Sequence, residues 1–303
     1  MNVHPFAPPL LALVLSPLLL GVINRTKALF AGRRGAPLLQ AYLDLWKLLH
    51  KGAVYSRTTS WVFRAGPVVG LAAVVTAALL VPLGSVPAPL AFAGDVVLFA
   101  YLLGLMRFVT VLAALDTGSA FAAMGASREV WLSALAEPAL LLSLAAVART
   151  THSLSLSGMF AGPATANWLH LGPPLALVLA ALAIVLLAEN ARIPVDDPNT
   201  HLELTMIHEA MVLDHGGPDL AFILYGAALK LWVLGTLLVN TALPVHGASA
   251  GLSLLAAVGG LFVLAVGVGV VESVMARLRL PVVPQLLVGA DALAFVALIL
   301  VMR

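Results

Sequence analysis

The sequence predicts an all-α, polytopic integral membrane protein: about eight transmembrane helices plus an amphipathic interfacial helix. Three observations predict it. Of the 303 residues, 61% are hydrophobic and only 10% are charged, whereas a soluble domain carries roughly 25% charged residues. The mean hydropathy is +1.05, and the apolar residues stand in long uninterrupted runs. The basic residues fall in alternate loops. Such a chain cannot cover a water-facing surface, so the bilayer is its solvent. In lipid the backbone must satisfy its own hydrogen bonds, which leaves helices or closed barrels. A helix crosses the hydrocarbon with about 20 apolar residues, and runs of this length favour helices. Residues 1–303 read as one membrane domain, with no internal repeat or low-complexity segment.

The spans fall at about Pro8–Ile23, Gly66–Leu83, Val96–Leu115, Val130–Ala148, Trp168–Ala188, Leu220–Leu238, Leu252–Val274 and Val283–Val301. The first run has no positive segment before it, so it reads as a retained span and not a signal peptide. The second is short and bounded by prolines. Between them, from Pro37 to Lys51, Gln40, Asp44, Lys47 and Lys51 recur every three or four positions among leucines, Tyr42 and Trp46. That period gives an amphipathic helix with Pro37 at its start. It is too charged to span and should lie in the headgroup plane; the alternative is an ordinary surface helix against the bundle.

Eight alternating spans with both termini outside put four loops in the cytoplasm. Those loops hold Arg25, Lys27, Arg33, Arg34, Lys47, Lys51, Arg57, Arg64, Arg128, Arg192, Arg277 and Arg279, which is 12 of the 16 basic residues. The opposite side receives only Arg149 and Arg303. An excess of Lys and Arg marks the cytoplasmic side, so span count and orientation support each other, and membrane orientation explains the pI of 9.2 without nucleic acid. The chain has no cysteine. That excludes disulfides, thiolate nucleophiles and Cys-ligated zinc or iron–sulfur clusters in this chain.

The loop from Glu189 to Asp219 is the polar island of the chain. It holds seven of the fourteen carboxylates, Glu189, Asp196, Asp197, Glu203, Glu209, Asp214 and Asp219, and one basic residue, Arg192. Asp197 before Pro198 can cap a helix, Thr200 and Glu203 have the spacing of a capping box, and Gly216, Gly217 and Pro218 stop it. The expected helix is Pro198–Asp214. His201, His208 and His215 stand seven apart, so the first two would share a face. The spacing is not that of a metalloprotease helix; a polar face against a partner protein outweighs a metal site. His152, His170 and His246 read as solvated or capping residues.

Ionisable residues inside spans are costly and mark functional sites by default. Arg107 lies in span three with Asp116 at its end, Glu137 in span four, Glu189 at the end of span five, Lys230 in span six, Glu272 in span seven and Asp291 in span eight. These are the proton-path candidates; structural ion pairing inside the bundle is the alternative.

Several stretches carry a resemblance. Glu189, Arg192, Pro194, Asp196, Pro198, Glu203 and Leu204 form E-x-x-R-x-P-x-D-x-P-x(4)-E-L. With Arg34-Gly35-x-Pro37, Leu39-Gln40, Asp44, Lys47-Leu48-Leu49 and Lys51, and with Arg277-Leu278-Arg279-Leu280-Pro281, this resembles the membrane heel subunits of respiratory complex I and their hydrogenase relatives. Gly125-Ala126-Ser127-Arg128-Glu129 followed by Glu137-Pro138 resembles the membrane subunits of formate hydrogenlyase and hydrogenase-4. Complex I heel subunits usually carry acidic residues where this chain has Asn199 and His201, and an added Asn-Arg-x-Gly-Pro repeat that it lacks, so the hydrogenase-4 type is the nearer pattern.

The resemblance implies a subunit that is not catalytic by itself in a bacterial or archaeal cytoplasmic membrane. It implies hydrogenase-like large and small subunits on the cytoplasmic face, carrying a NiFe centre and iron–sulfur clusters, with no cofactor bound by this chain, and antiporter-like membrane subunits beside it. The soluble arm would dock on the loops about 25–65 and 189–219, at Arg33, Arg34, Arg192, Asp196, Asp197, Glu203 and Glu209. Three functions stay open: a docking and proton-coupling subunit of a hydrogenase-like complex, the quinone-chamber subunit of a complex I-like dehydrogenase, and a stand-alone ion transporter.

Overall fold

The computed structural model describes residues 4–160, 164–196, 206–243 and 249–303. Eight helices among them are long and apolar enough to cross a membrane: α1 (Ala7–Phe30), α3 (Trp61–Ala78), α4 (Asp95–Asp116), α5 (Ala120–Thr151), α7 (Ala164–Glu189), α9 (Gly217–Ala242), α10 (Ala250–Val274) and α11 (Val283–Met302, entered through a 3-10 turn at Leu280–Val282). Three short helices complete the order: α2 (Gln40–Leu49), α6 (Leu156–Phe160) and α8 (His208–Val212). The protein is a multi-pass, all-helical membrane protein. The eight expected spans each meet one helix.

Helix α9 is the axis. In its most apolar window 72% of residues are buried, against 44% or less in the other seven. It packs against α1, α2, α3, α7 and α10, while α11 closes against α5 and α7. Prolines inside α1, α3, α5 and α7 are tolerated because neighbouring helices re-satisfy the freed carbonyls. In α7 the pair Pro173-Pro174 follows a break in helical geometry at Leu171.

The second span differs from its expected bounds. The helix starts at Trp61, capped by the Ser60 hydroxyl, and stops at Ala78. Leu80, Val81, Leu83, Val86 and Ala88 are buried in the loop beyond it. That loop is fastened to the bundle: Gly84 N–H donates to Asn240 at 3.1 Å and Ser85 N–H to Ser253 Oγ at 2.8 Å. Its apolar residues therefore plug one end of the bundle instead of extending the span. Helix α5 begins at Ala120, well before the expected Val130, because its small residues pack on α8. A Cβ on Gly125 would stand 2.8 Å from the Ile207 carbonyl.

Helix α2 has no buried residue, yet it is not detached. The Tyr42 hydroxyl donates to the Val14 carbonyl of α1, and a Cβ on Gly21 would collide with the Leu38 carbonyl, so only glycine lets this segment lie on α1. Leu43, Trp46 and Leu49 remain exposed, an apolar stripe suited to the interfacial plane. The helix begins at Gln40, three positions after the expected Pro37.

The expected helix Pro198–Asp214 is corrected. Among the described residues of that stretch, Met206 and Ile207 are non-helical, His208–Val212 forms a helix and Leu213 and Asp214 lie beyond it. Asp197, Thr200, His201, Glu203 and His246 lie outside the described residues. His152 is the left-handed C-cap of α5, in keeping with a capping role.

Candidate functional site

The site begins where α7 stops. Glu189 is its last residue. The chain then turns through Ala191, at φ +48°, and runs back inside the bundle, with Arg192 N–H donating to the Leu187 carbonyl at 2.9 Å. The turn leaves room beyond the helix tip. That room is a cavity of about 400 Å³, walled by α1, α2, α4, α5, α8 and α9, with Gln40, Asp44, Arg107, Glu189, Arg192, His208 and Lys230 among its lining. Its volume is that of a small-molecule site, roughly 300–1,000 Å³.

Three helices and the α7 tip place four charges, Arg107, Glu129, Glu189 and Lys230, on its lining, and Glu137 joins them from outside the cavity. Arg107 Nη2 lies 2.6 Å from Glu189 Oε1, and Lys230 Nζ 2.7 Å from Glu189 Oε2. The Arg107 guanidinium also pairs with Glu137 through Nη1, and its Nε lies 3.8 Å from Glu129. At 1.5 Å per residue, Arg107 sits roughly 14 Å along α4 from Asp116, and Lys230 roughly 20 Å along α9 from Gly217. Both therefore sit near the middle of their helices, each long enough to cross a hydrocarbon layer about 30 Å thick. Arg107, Glu189 and Lys230 side chains are 9%, 5% and 10% exposed, but Glu137 is 49% exposed on the outer wall of the bundle. The arrangement runs from the cavity to that wall as alternating charges. A planar guanidinium with five donors can hold three carboxylates at once.

A second cluster braces the loop. Glu272 of α10, with no exposed side-chain surface, meets Lys27 Nζ at 2.8 Å and Arg192 Nη1 at 3.2 Å. A third pins the loop to the last turn: Arg277 Nη2 lies 2.7 Å from Asp196 Oδ1, and Asp196 Oδ2 accepts from His208 N–H at 3.3 Å. Arg128 donates to the Met206 carbonyl at 2.9 Å.

Of the expected path residues, Arg107, Glu137, Glu189 and Lys230 come together. Glu272 belongs to the second cluster. Asp116 lies apart, accepting from Ser60 N–H at 2.6 Å at the head of α3. Asp291 makes no ion pair among the described residues, and its Oδ1 is buried without a hydrogen-bond partner. Glu129 was absent from the expected set. It stands eight positions before Glu137 on one helix, and that spacing returns to the same face, which is the signal that would have found it.

Of the expected docking residues, Arg33 and Arg34 are exposed and Glu209 lines the cavity. Arg192 and Asp196 are turned inward: the Arg192 side chain is 12% exposed and that of Asp196 3%. Among the described residues no three of His, Asp or Glu are grouped to hold a metal ion.

The two described histidines of the loop have separate settings. Burial, reinforced by the Lys230 charge and opposed by Asp196, holds His208 down at about 4. His215 stacks flat on Phe63, centroids 3.9 Å apart, and burial lowers it too against Asp219 and Asp214. Both rings fold in neutral form. The contribution of His208 to stability is complete above about 6.5, the value of a free imidazole, and is lost as pH falls toward 4; His215 acts in the same direction. The thermal midpoint of the purified protein should decline over that window, and His208→Gln should flatten part of the decline. An identical slope in the variant would remove His208 from the effect.

Comparison with known proteins adds four observations. Residues 6–302 match the family model described as NADH dehydrogenase. The chain is 34% identical over 303 residues to formate hydrogenlyase subunit 4 of Escherichia coli K12, covering 98% of this chain and 97% of that protein. It is 35% identical over 247 residues to hydrogenase-4 component C of the same organism, covering 80% and 75%. In fold it is similar to a chain of the membrane-bound sulfane sulfur reductase, an archaeal respiratory membrane complex, with a TM-score of 0.82, 22% identity and coverage of 99% and 100%.

Proposed function

The chain belongs to the NADH dehydrogenase family, complex I subunit 1-like, and from that premise we propose that it is the membrane-anchoring and proton-coupling subunit of an energy-converting complex of the hydrogenase-4 or formate hydrogenlyase type. The redox centres, a NiFe site and iron–sulfur clusters, belong to soluble partners docked over the cavity mouth; this chain has no thiolate to ligate a cluster.

One observation carries the reading: the ion-pair chain Lys230–Glu189–Arg107, continued to Glu129 and Glu137. Its electrostatics suit a relay. If Glu189 takes a proton from the cavity, it loses its charge attraction for both Arg107 and Lys230. The Arg107 guanidinium, held by Glu189 on one side and by Glu129 and Glu137 on the other, then turns toward the latter two, so a proton gained at the cavity is felt at the outer wall. Charge moves through the membrane interior without any cation crossing it.

Glu137→Gln tests this. The amide keeps the shape but cannot ionise. The whole complex should assemble, electron transfer in the soluble partner should persist, and proton uptake into proteoliposomes should fall several-fold. Normal pumping by an assembled variant would remove Glu137 from the path; failure to assemble would make the residue structural.

The size and mixed lining of the cavity support a second reading, a quinone-binding chamber. Turnover of the purified complex that depends on added quinone would favour it; turnover indifferent to quinone would leave the cavity to water and protons.

Orientation is part of the proposal. The loops 31–60 and 275–279 face the cytoplasm in a cell inner membrane, as the basic residues require. A cysteine introduced at Ser56 should react with an impermeant maleimide only after cells are opened. Labelling of intact cells would reverse the topology.

A further inference from the structure

Residues 79–90 close the end of the bundle away from the cavity mouth. Leu83 and Val86 exchange backbone hydrogen bonds, each 3.2 Å, across a turn at Gly84 and Ser85. At the base, Leu90 N–H donates to the Leu79 carbonyl at 3.1 Å. The segment is a hairpin with its apolar side chains turned inward: Leu80, Val81, Leu83 and Val86 are each 4% exposed or less. Gly84 takes φ +59°, and a Cβ there would stand 2.7 Å from Ser253 Oγ.

Three helices hold this hairpin. The Asn240 amide of α9 acts twice: Oδ1 accepts from Gly84 N–H at 3.1 Å, and Nδ2 donates to the Pro82 carbonyl at 2.8 Å. Ser253 of α10 accepts from Ser85 N–H at 2.8 Å, and Ser157 of α6 accepts from Ala88 N–H at 3.0 Å. Asn240 and Ser253 are buried beneath the hairpin they hold. Lifting it would leave a bare amide and hydroxyl, and water would enter to satisfy them, because unpaired buried polar groups are costly.

Below the hairpin tip is a void of about 10 Å³, with Val81 and Leu83 of the hairpin and Trp232, Val233 and Thr236 of α9 among its lining. A trapped water needs about 10–15 Å³ and two to four polar partners. The Thr236 hydroxyl already donates to the Trp232 carbonyl at 2.9 Å, so the void offers water too little to hold it. Val233 stands three residues from Lys230, roughly 4.5 Å along α9, and Lys230 lines the charged cavity. The dry layer between that cavity and the underside of the hairpin is therefore about one turn of α9 thick.

We infer that the 79–90 hairpin, latched by Asn240 and Ser253, is the seal that denies protons a route from the cavity straight through this chain to the far face. The inference rests on the proton-coupling reading. A charge that reaches Lys230 and Glu189 must be kept from running past them, or the complex would dissipate the gradient it builds.

The test is passive proton permeability, read without an electron donor so that no pumping contributes. The whole complex is reconstituted in liposomes holding a pH-sensitive dye, the potential is clamped with potassium and valinomycin, and the outside is acidified. Asn240→Ala removes both amide bonds, and Gly84→Ala drives the hairpin off Ser253; each should speed internal acidification several-fold. Ser253→Ala removes one acceptor and should speed it less. Electron transfer in the soluble partner should stay at the native rate in all three. The chain has no cysteine, so Ser85→Cys with Ser253→Cys allows one crosslink within it. Formed in the Asn240→Ala background, that crosslink should restore a proton-tight membrane, and a reductant should undo the repair. Native permeability in the assembled variants would overturn the inference, as would a leak that persists with the crosslink closed. If Asn240→Ala does not assemble, Ser253→Ala decides alone. The two readings fail separately: proton-tight variants with pumping lost in Glu137→Gln remove only the seal, whereas leaking variants with normal pumping by Glu137→Gln remove only the relay.

Discussion

Arg107→Leu should leave the chain unable to hold its membrane fold. The substitution removes the one cation that Glu129 and Glu137 share and half of the partnership of Glu189. Lys230 still meets Glu189 and its charge reaches Glu129, but it projects from α9 and makes no ion pair with Glu137 among the described residues. Removing one member of a buried ion pair costs about 3–5 kcal/mol, and here more than one pair is broken. Typical net stability is about 5–15 kcal/mol, so a loss of this size takes most of the margin. The yield of monodisperse detergent-solubilised protein should fall sharply and its thermal midpoint with it. Arg107→Lys should recover only part, because a point ammonium cannot fork between α5 and α7 as a guanidinium does. Adding Glu137→Gln to Arg107→Leu should also recover part, since one stranded charge is removed. A leucine variant with native yield and melting behaviour would show that the cluster is solvated well enough to need no arginine.

The sequence made the eight spans readable because hydropathy and basic asymmetry act along the chain, residue by residue. It also marked Arg107, Glu137, Glu189 and Lys230 as charges that a lipid-facing helix would not carry. What it could not give was their pairing. Whether Arg107 meets Glu137 or Glu272 depends on the rotation of α4 about its axis and on which helices adjoin it, and both are set by tertiary packing. Glu129 escaped notice for a related reason: the apolar run begins at Val130, so Glu129 reads as loop, while the helix starts at Ala120 because Gly125 and Ala126 pack against α8. The loop misled in the opposite direction. Its wealth of carboxylates suggested a surface displayed to a partner, yet Asp196 and Arg192 find cations and anions inside the protein. A polar residue in a loop reads as exposed unless its partner, here Arg277 or Glu272, is known to stand beside it.

That inward turn changes what the loop can do for docking. Arg33 and Arg34 are exposed and offer direct contact to a soluble partner. Arg192 and Asp196 act from beneath, fixing the backbone over which a partner would sit. The two modes predict different behaviour. Direct charge contacts at a rim alter association and its salt dependence, whereas truncating a buried partner loosens the structure that holds the site.

The double variant Arg192→Ala with Asp196→Ala separates them. Loss of Arg192 removes its ion pair with Glu272, and loss of Asp196 removes the ion pair to Arg277 and the acceptor for His208 N–H. Both changes release the same stretch of loop, so their effects should not simply add. About 2–5 kcal/mol of local stabilisation is at stake where buried partners are truncated. The eight spans do not depend on these residues, so the subunit should still insert and purify. The loop should exchange its amide hydrogens faster from Ile193 to His215, and the soluble partners should be lost from the purified complex even at low salt. Arg33→Ala with Arg34→Ala should instead leave loop exchange unchanged and weaken partner retention chiefly as salt is raised, because exposed charges are screened over about 10 Å at 0.1 M. Retention of the soluble partners by the Arg192/Asp196 variant, despite a loosened loop, would show that this loop does not hold the arm.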